Sequence, residues 1–212
     1  MKKFIAIFLA ILSLAASAQQ SQELRRIQTP FLFPEFRPAI VKQTFGRHIK
    51  VEKANIAINN GNFVYLQGDS VLTPSNNSIL GVEFDSTHIY MRVEGMTMGR
   101  VLASENYNAL LCVTTVDRDQ LTEETNSTTV MAFLSMTEAG FGEYNSFERN
   151  EGYPLCDTYY FNLKGRSIPA VERIVKKHIA PDKKREFKAL MDDRWWSWRD
   201  AASLAKLLPL FP

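Results

Sequence analysis

Residues 49–72 (IKVEKANIAINNGNFVYLQGDSVL) place the tightest constraint on the fold, because two apolar segments flank an Asn-Gly pair there. Asn-Gly favours a type I′ turn, in which both central residues adopt positive φ. With Asn60 and Gly61 as a two-residue loop, the segment predicts a β-hairpin with one apolar face, whose cross-strand pairs each contribute roughly 0.2–1 kcal/mol. The predicted pairs are Asn59 with Asn62, Ile58 with Phe63, and Ile56 with Tyr65.

Short strand-like segments recur along most of the chain. Turn residues separate them roughly every 8–12 positions, which is typical of an antiparallel meander, barrel or sandwich. The apolar run over 109–116 (ALLCVTTV) predicts a central strand, and a shift of apolar parity between Val51 and Ala54 predicts a β-bulge. We expect a polar loop over 118–129, a strand over 130–136, a long loop over 138–154 and a last strand over 157–163.

The chain changes character after Gly165, where helical periodicity replaces strand-like segments. One apolar face over 168–179 predicts a first helix, and residues 181–191 predict a second that starts at a proline. Ser197, followed three residues later by Asp200, resembles a capping box that would open a third helix. The sequence therefore predicts an α+β fold: an antiparallel β meander or barrel-like domain, followed by a C-terminal segment of about three helices.

The N-terminus has the three parts of a secretory signal peptide. Lys2 and Lys3 precede an apolar stretch over 4–14, and Ala16-Ser17-Ala18 forms a small-x-small cleavage site. We therefore expect a secreted or periplasmic protein that begins near Gln19, and no later stretch is apolar for long enough to predict a transmembrane segment. The predicted organisation is a signal peptide over 1–18, an extended strap over 19–37, a β-rich domain over 38–165 and a packed helical segment over 166–212.

Charge is distributed unevenly in this chain. Without Lys2 and Lys3 the formal charge is zero, which together with export gives no argument for nucleic acid as a partner. Residues 164–199 nevertheless carry eleven basic and five acidic side chains. This excess predicts either an interaction face for an envelope protein or another anionic surface, or an ordinary solvated helix exterior. The candidate interaction residues are Arg173, Lys176, Lys177, Lys183, Lys184 and Lys188.

All three tryptophans, Trp195, Trp196 and Trp198, fall within four residues. Exposed aromatic rings stack on sugars or anchor protein interfaces. The alternative is that the rings wedge the last helix against the sheet. At helical or turn spacing the three side chains cannot all point the same way, so we expect at least one to stay exposed and treat the group as a candidate ligand-binding site.

The two cysteines, Cys112 and Cys156, lie 44 residues apart in a chain expected to be exported, where disulfides form and persist. A disulfide between them would stabilise the fold by roughly 4 kcal/mol on the chain-entropy account. The alternative is two unpaired thiols, with Cys112 a small buried residue of a strand. The sequence leaves both open.

Catalytic and metal-binding motifs are missing from the sequence. The three histidines, His48, His88 and His178, are far apart, and the common zinc, calcium, nucleophile-elbow and phosphate-loop patterns do not occur. Acidic side chains over 138–151 read as solvated loop carboxylates. We therefore expect no metal, no cofactor and no enzymatic activity.

The arrangement resembles uncharacterised exported proteins of Bacteroidetes. The likeness lies in the β segment over 38–116 with its Gly68-Asp69-Ser70 turn, in the basic helical stretch over 168–191, and in the Asp-x-x-x-Leu-x-x-Leu pattern over 200–207. The resemblance implies export and a β-rich fold, and it implies no activity. Asp69-Ser70-Val71 and Asp85-Ser86-Thr87 also resemble the short O-glycosylation sites of such proteins, although turn formation explains both sequences equally well.

These observations lead to three functional hypotheses. The first is an exported, non-catalytic interaction or structural module of the bacterial cell envelope. The second is a protein that binds a glycan or another small ligand through its tryptophans. The third is a hydrolase whose site assembles from residues scattered along the sequence.

Overall fold

The computed structural model describes residues 25–74, 78–124 and 152–212. The predicted signal peptide, the strand over 130–136 and almost all of the loop over 138–154 lie outside these residues. The described chain forms one antiparallel sheet with the strands β1 Arg26–Ile27, β2 Arg37–Gln43, β3 His48–Ile56, β4 Phe63–Gln67, β5 Ser70–Leu72, β6 Ile79–Glu83, β7 Ile89–Glu94, β8 Thr97–Glu105, β9 Asn108–Val116, β10 Tyr153–Leu163 and β11 Arg166–Pro169.

The order of strands across the sheet is β1, β10, β9, β8, β7, β6, β2, β3, β4, β5, with β11 also paired to β10. Strands β6 to β9 therefore form the predicted meander, and the α+β class is confirmed. The barrel-like alternative is wrong, because the sheet is not closed. It is coiled enough, however, for the loop after β3 to reach β8, where Met98 N–H donates to the Gly61 carbonyl over 2.8 Å.

The hairpin at Asn60-Gly61 forms with a different register from the predicted one. Ile56 pairs with Phe63 rather than Tyr65, and only Gly61 of the two turn residues has a positive φ, of 71°. The reason is tertiary: Ile58 N–H donates to the Pro30 carbonyl, and the Ile58 carbonyl accepts from Val116 N–H over 2.7 Å. Ile58 therefore leaves the hairpin ladder, and the loop is longer than the type I′ turn.

The predicted strap packs on the sheet. Phe31 and Phe33 are buried, and Phe36 packs its ring edge-on to Phe31 at 4.9 Å. Buried Asn55 holds the strap by accepting from Phe33 N–H at 3.0 Å and donating to the Phe33 carbonyl at 2.8 Å. Leu32 N–H also donates to the Ile56 carbonyl, so the strap is fixed by backbone and side-chain hydrogen bonds together.

The predicted β-bulge is present in β3. Arg37 of β2 pairs with Ala54, whereas Ala39 pairs with Val51, so β3 advances three residues while β2 advances two. The extra residue lies between Val51 and Ala54, where the apolar parity shifts in the sequence.

The described helices are α1 Arg118–Glu124, α2 Glu172–Val175, α3 Lys184–Met191 and α4 Ala201–Ala205. The prediction of a loop at 118–124 is wrong, because Asp117 accepts from Gln120 N–H at the start of α1, and Leu121 of α1 is buried in the core. The helix predicted to start at Ile168 is also wrong at its beginning. Residues 164 and 165 form a turn with positive φ, which returns Ile168 to pair with Phe161 in the sheet.

The second and third predicted helices are present in shorter form. A 3-10 turn at Pro181–Lys183 precedes α3, and Asp200 rather than Ser197 caps α4 by accepting from Ser203 N–H over 2.7 Å. Among the described residues, no helix is both long and apolar enough to cross a membrane.

Two large buried clusters organise the molecule. The helical cluster joins the C-terminal segment to Leu110 and Phe161 of the sheet. The strap cluster joins Phe33 to strands β2, β3, β4, β6, β7 and β8. A cleft lies between them.

Candidate functional site

The cleft crosses strands β7 to β10 and has a volume of about 470 Å³. Its position follows from strand alternation. On β9, Leu110, Cys112, Thr114 and Val116 point to one face of the sheet. Leu110 is covered by the helical cluster, and Val116 packs with Ile58 and Leu121. Cys112 and Thr114 lie between these covered ends and line the cleft.

One transverse row of the sheet forms the centre of the cleft. Tyr90 pairs with Arg100, Arg100 pairs with Cys112, and Cys112 pairs with Tyr159. Directly opposed residues of antiparallel strands point to the same face, so these four side chains stand side by side, and all four line the cleft.

An ion pair occupies the neighbouring row. Thr114 pairs with Asp157 in the sheet, and the Arg25 guanidinium donates to both Asp157 carboxylate oxygens at 2.8 and 2.9 Å. The Thr114 hydroxyl donates to the same carboxylate at 2.6 Å. Burial alone would raise the pKa of Asp157, but the hydrogen bonds from Arg25 and Thr114 outweigh it and hold the pKa below its ordinary value.

The Cys112 thiol is buried beside this pair. Its sulfur lies 3.9 Å from the Thr114 hydroxyl oxygen, and burial, followed by the negative charge of Asp157, raises the pKa of the thiol to about 12. The thiolate is the reactive form of cysteine, so Cys112 is an inert thiol at neutral pH.

The structure decides between the two alternatives for the cysteines in favour of two free thiols. Cys156 pairs with Thr115, whereas Cys112 pairs with Tyr159. Because Cys112 and Thr115 are an odd number of residues apart on one strand, the two thiols point to opposite faces of the sheet. A disulfide would require their Cβ atoms to approach within about 4.5 Å, which this arrangement prevents.

A charged corner closes one end of the cleft. Asp85 accepts from the hydroxyl and N–H of Thr87 and lies 2.9 Å from Nδ1 of His88. These hydrogen bonds, those from Thr87 first, hold the pKa of Asp85 well below its usual range. Arg37 donates to Asp85 at 2.7 Å, and the His88 ring packs edge-on to Phe33 at 5.4 Å. The corner thus fixes the strap to the rim, and Asp85 serves the turn expected of Asp-Ser-Thr.

The basic side chains of the cleft differ in whether they have acidic partners. Arg25 pairs with Asp157, Arg26 with Glu124, and His88 faces Asp85. Arg100 makes no hydrogen bond or ion pair with any residue in the described ranges. Arg100 is exposed to solvent and lines the cleft. Its cross-strand neighbour Tyr90 is neutral, because burial raises the pKa of the Tyr90 phenol.

The tryptophans lie away from the cleft, on the C-terminal segment. Trp195 is 80% exposed, and the Arg194 guanidinium stacks 5.4 Å from its ring centre. Trp196 and Trp198 are half-buried, pack edge-to-face at 5.5 Å, and contact the helical cluster. The expectation that one ring stays exposed is confirmed, and the other two act as packing residues.

The six candidate basic residues do not form one continuous site. Lys176, Lys184 and Lys188 surround a groove over Ile179, Phe187 and Met191, and Glu172 and Asp192 line the same groove. Lys183 is paired with Glu186 at 2.8 Å, and Arg173 and Lys177 are exposed. The groove therefore combines lysines with acidic side chains and is less cationic than the sequence suggests.

Sequence reasoning missed the cleft because its residues come from six separate segments of the chain. Cys112 and Thr114 interrupt the apolar run over 109–116 on the same strand face as Leu110. This interruption was the one sequence signal that indicated a polar site on that face. The pairing of β9 with β8 and β10 was needed to bring Arg100 and Asp157 beside them.

Among residues 25–74, 78–124 and 152–212, no group of three or more His, Cys, Asp or Glu side chains is placed to hold a metal ion. Comparison of the chain with models of known protein families, with curated protein sequences and with solved structures finds no match.

Proposed function

We propose that this protein is an exported, non-catalytic binding module of the bacterial cell envelope, and that the cleft across β7 to β10 holds a small ligand. The observation that carries the proposal is the cleft itself. Its volume of about 470 Å³ falls in the range of roughly 300–1,000 Å³ that is usual for small-molecule sites. Its lining combines apolar side chains with polar and charged groups in fixed positions, and fixed polar groups of this kind orient the ligand in small-molecule sites.

The protonation states of the cleft support a binding role. A general acid or base works best with a pKa near the operating pH. The pKa of Asp157 is held below its ordinary value, and the pKa values of the Cys112 thiol and the Tyr90 phenol are raised away from neutrality. These three groups keep a single protonation state at neutral pH, which suits the recognition of a ligand better than proton transfer.

Export is proposed from the N-terminal sequence, in which Lys2 and Lys3 precede an apolar stretch and a small-x-small site. Expression of the full chain followed by cell fractionation and mass spectrometry tests it. We expect a periplasmic or secreted product that begins near Gln19. A full-length product in the cytoplasm would contradict export and leave the cleft proposal to be tested separately.

Binding in the cleft can be tested with Nile red, a neutral dye whose fluorescence rises in apolar sites. We expect one dye molecule to bind per chain. Leu102→Trp, which places a larger side chain in the cleft, should weaken dye binding at least 10-fold. Leu80→Trp is the matched control, because Leu80 lies exposed on β6 outside the cleft. Equal dye binding by the wild type and both variants would place the dye elsewhere and contradict the proposal.

The exposed ring of Trp195 favours a second candidate function, the binding of an envelope glycan on the C-terminal segment. Trp195 with Arg194 over one face presents an aromatic platform to solvent. Calorimetric titration with envelope glycans tests it in the wild type and in Trp195→Ala. Glycan binding that is lost in the variant supports the platform, whereas no binding by the wild type rejects it.

A further inference from the structure

We propose that the ligand of the cleft is a small organic acid, with one anionic group bound by Arg100 and an apolar body lying along the cleft floor. This inference rests on the proposed function and specifies the chemical class of the ligand. It depends on the charges around the cleft, the immediate neighbours of Arg100 and the nature of the floor.

The charges around the cleft are unbalanced at Arg100. Arg25, Arg26 and His88 each have an acidic partner among the described residues, namely Asp157, Glu124 and Asp85. Arg100 has none in the same ranges, so the cleft presents a net positive charge at this position. An anionic group supplies the missing partner, whereas a cationic ligand would be repelled.

The side chains that flank Arg100 in its transverse row carry no negative charge. Its cross-strand neighbours are Tyr90 and Cys112, and burial keeps both neutral by raising their pKa values. Neither competes for the guanidinium as an anion would. The acid in the next row, Asp157, already accepts hydrogen bonds from Arg25 and Thr114. The Arg100 guanidinium therefore keeps its donors available, and its planar fork suits bidentate binding of a carboxylate.

The floor of the cleft is apolar beside the polar row. Beside the polar row, the cleft is lined by the aliphatic, aromatic and thioether side chains of Leu32, Phe33, Ile56, Met98, Leu102 and Leu155. A ligand gains binding free energy in proportion to the apolar surface it buries there. A small inorganic anion would leave this surface uncovered, so the floor favours an organic acid with an apolar body.

The groove beside α3 provides a contrast within the same protein. Lys176, Lys184 and Lys188 surround it, but Glu172 and Asp192 line it too. An anion entering that groove meets acidic side chains as well as lysines. In the cleft, Arg25, Arg26 and His88 each face an acidic partner, and Arg100 faces none among the described residues. The cleft is therefore the more selective site for a single anionic group.

The test compares two probes that differ only in charge, 4-phenylbutyrate and 4-phenylbutanamide, by displacement of Nile red from the purified mature protein. We expect the acid to bind at least 10-fold more tightly than the amide. Arg100→Gln should weaken the acid about 10-fold and leave the amide unchanged, whereas Arg100→Lys should retain much of the preference. Arg166→Gln is the matched control, because Arg166 is an exposed strand arginine outside the cleft.

The outcomes separate this inference from the proposed function. Equal binding of acid and amide by the wild type, or an unchanged preference in Arg100→Gln, overturns the anionic ligand while leaving a cleft that binds Nile red. The wild-type comparison needs no variant, so it is decisive even if a substitution disturbs folding. Absence of Nile red binding by the wild type would overturn the proposed function, and the ligand class with it.

Discussion

The two ends of one sheet face differ in whether other elements cover them. At one end, Leu110 and Phe161 are fully buried because the C-terminal helices cover them. Two residues along each strand, Cys112 and Tyr159 occupy equivalent positions on the same face and line an open cleft. The strands run without a break through both ends. The boundary between the hydrophobic core and the cleft is therefore set by the elements that cover the sheet, such as the C-terminal helices.

The largest expected effect is at the covered end. Phe161→Ala removes a fully buried ring that packs 5.0 Å from Phe211, and the loss of buried area and the cavity left behind should destabilise the fold by about 3–5 kcal/mol. Urea denaturation measures the change. Tyr159→Phe, two residues away at the open end, is the control and should cost less than about 1 kcal/mol. Similar losses in both variants would mean that the two ends do not differ in packing.

A smaller effect is expected at the strap wall of the cleft. Asn55→Ala leaves the N–H and carbonyl of Phe33 without the side-chain partner that Asn55 provides, which should cost about 1–3 kcal/mol. Because Leu32 and Phe33 line the cleft, Nile red binding should weaken as well. Val71→Ala, in a half-buried position on edge strand β5, controls for a general loss of stability. Unchanged dye affinity in Asn55→Ala would show that the strap does not shape the cleft.

The smallest effect concerns the ion pair inside the cleft. The pKa of Asp157 lies below its ordinary value, so its contribution is complete above about pH 4 and is lost as the pH falls toward the lower folded pKa. Asp157→Asn should lower stability at pH 7 by about 1 kcal/mol, since Arg25 is half-exposed. It should also reduce the loss of stability between about pH 4 and pH 2.

Thermal melting of the wild type and Asp157→Asn at pH 7 and pH 3 measures both effects. Glu52→Gln, at an exposed ion pair with Lys50 outside the cleft, is the control and should follow the wild type. An equally steep acid transition in Asp157→Asn and the wild type would contradict the role of the pair.

The sequence was informative where local patterns and tertiary contacts agree. The meander and the bulge between Val51 and Ala54 could both be predicted from the periodicity of the apolar residues. Prediction failed where a distant contact overrides a local preference. The hairpin at Asn60-Gly61 differs in register from the prediction because the backbone of Ile58 forms hydrogen bonds with Pro30 and Val116. Both partners are distant from the turn in the sequence.

The site was harder to predict than the fold. Trp195 could be identified because the three tryptophans are close together in the sequence. Its exposure matches the expectation that at least one of the three rings faces solvent. Arg100 and Asp157 belong to no sequence motif, and isolated charged residues on strands are common. Only the strand register shows that Arg100 stands between Tyr90 and Cys112 without an acidic neighbour in its row.

The placement of the two thiols on opposite faces of β9 and β10 has a consequence for how the protein matures. The native fold holds its two cysteines as free thiols, so its assembly requires no disulfide between them. Cys112 and Cys156 can be joined only while β9 and β10 are apart, before the sheet assembles. A chain that carries this intramolecular crosslink is therefore a trapped, misfolded form, and non-reducing electrophoresis can count such chains in a preparation.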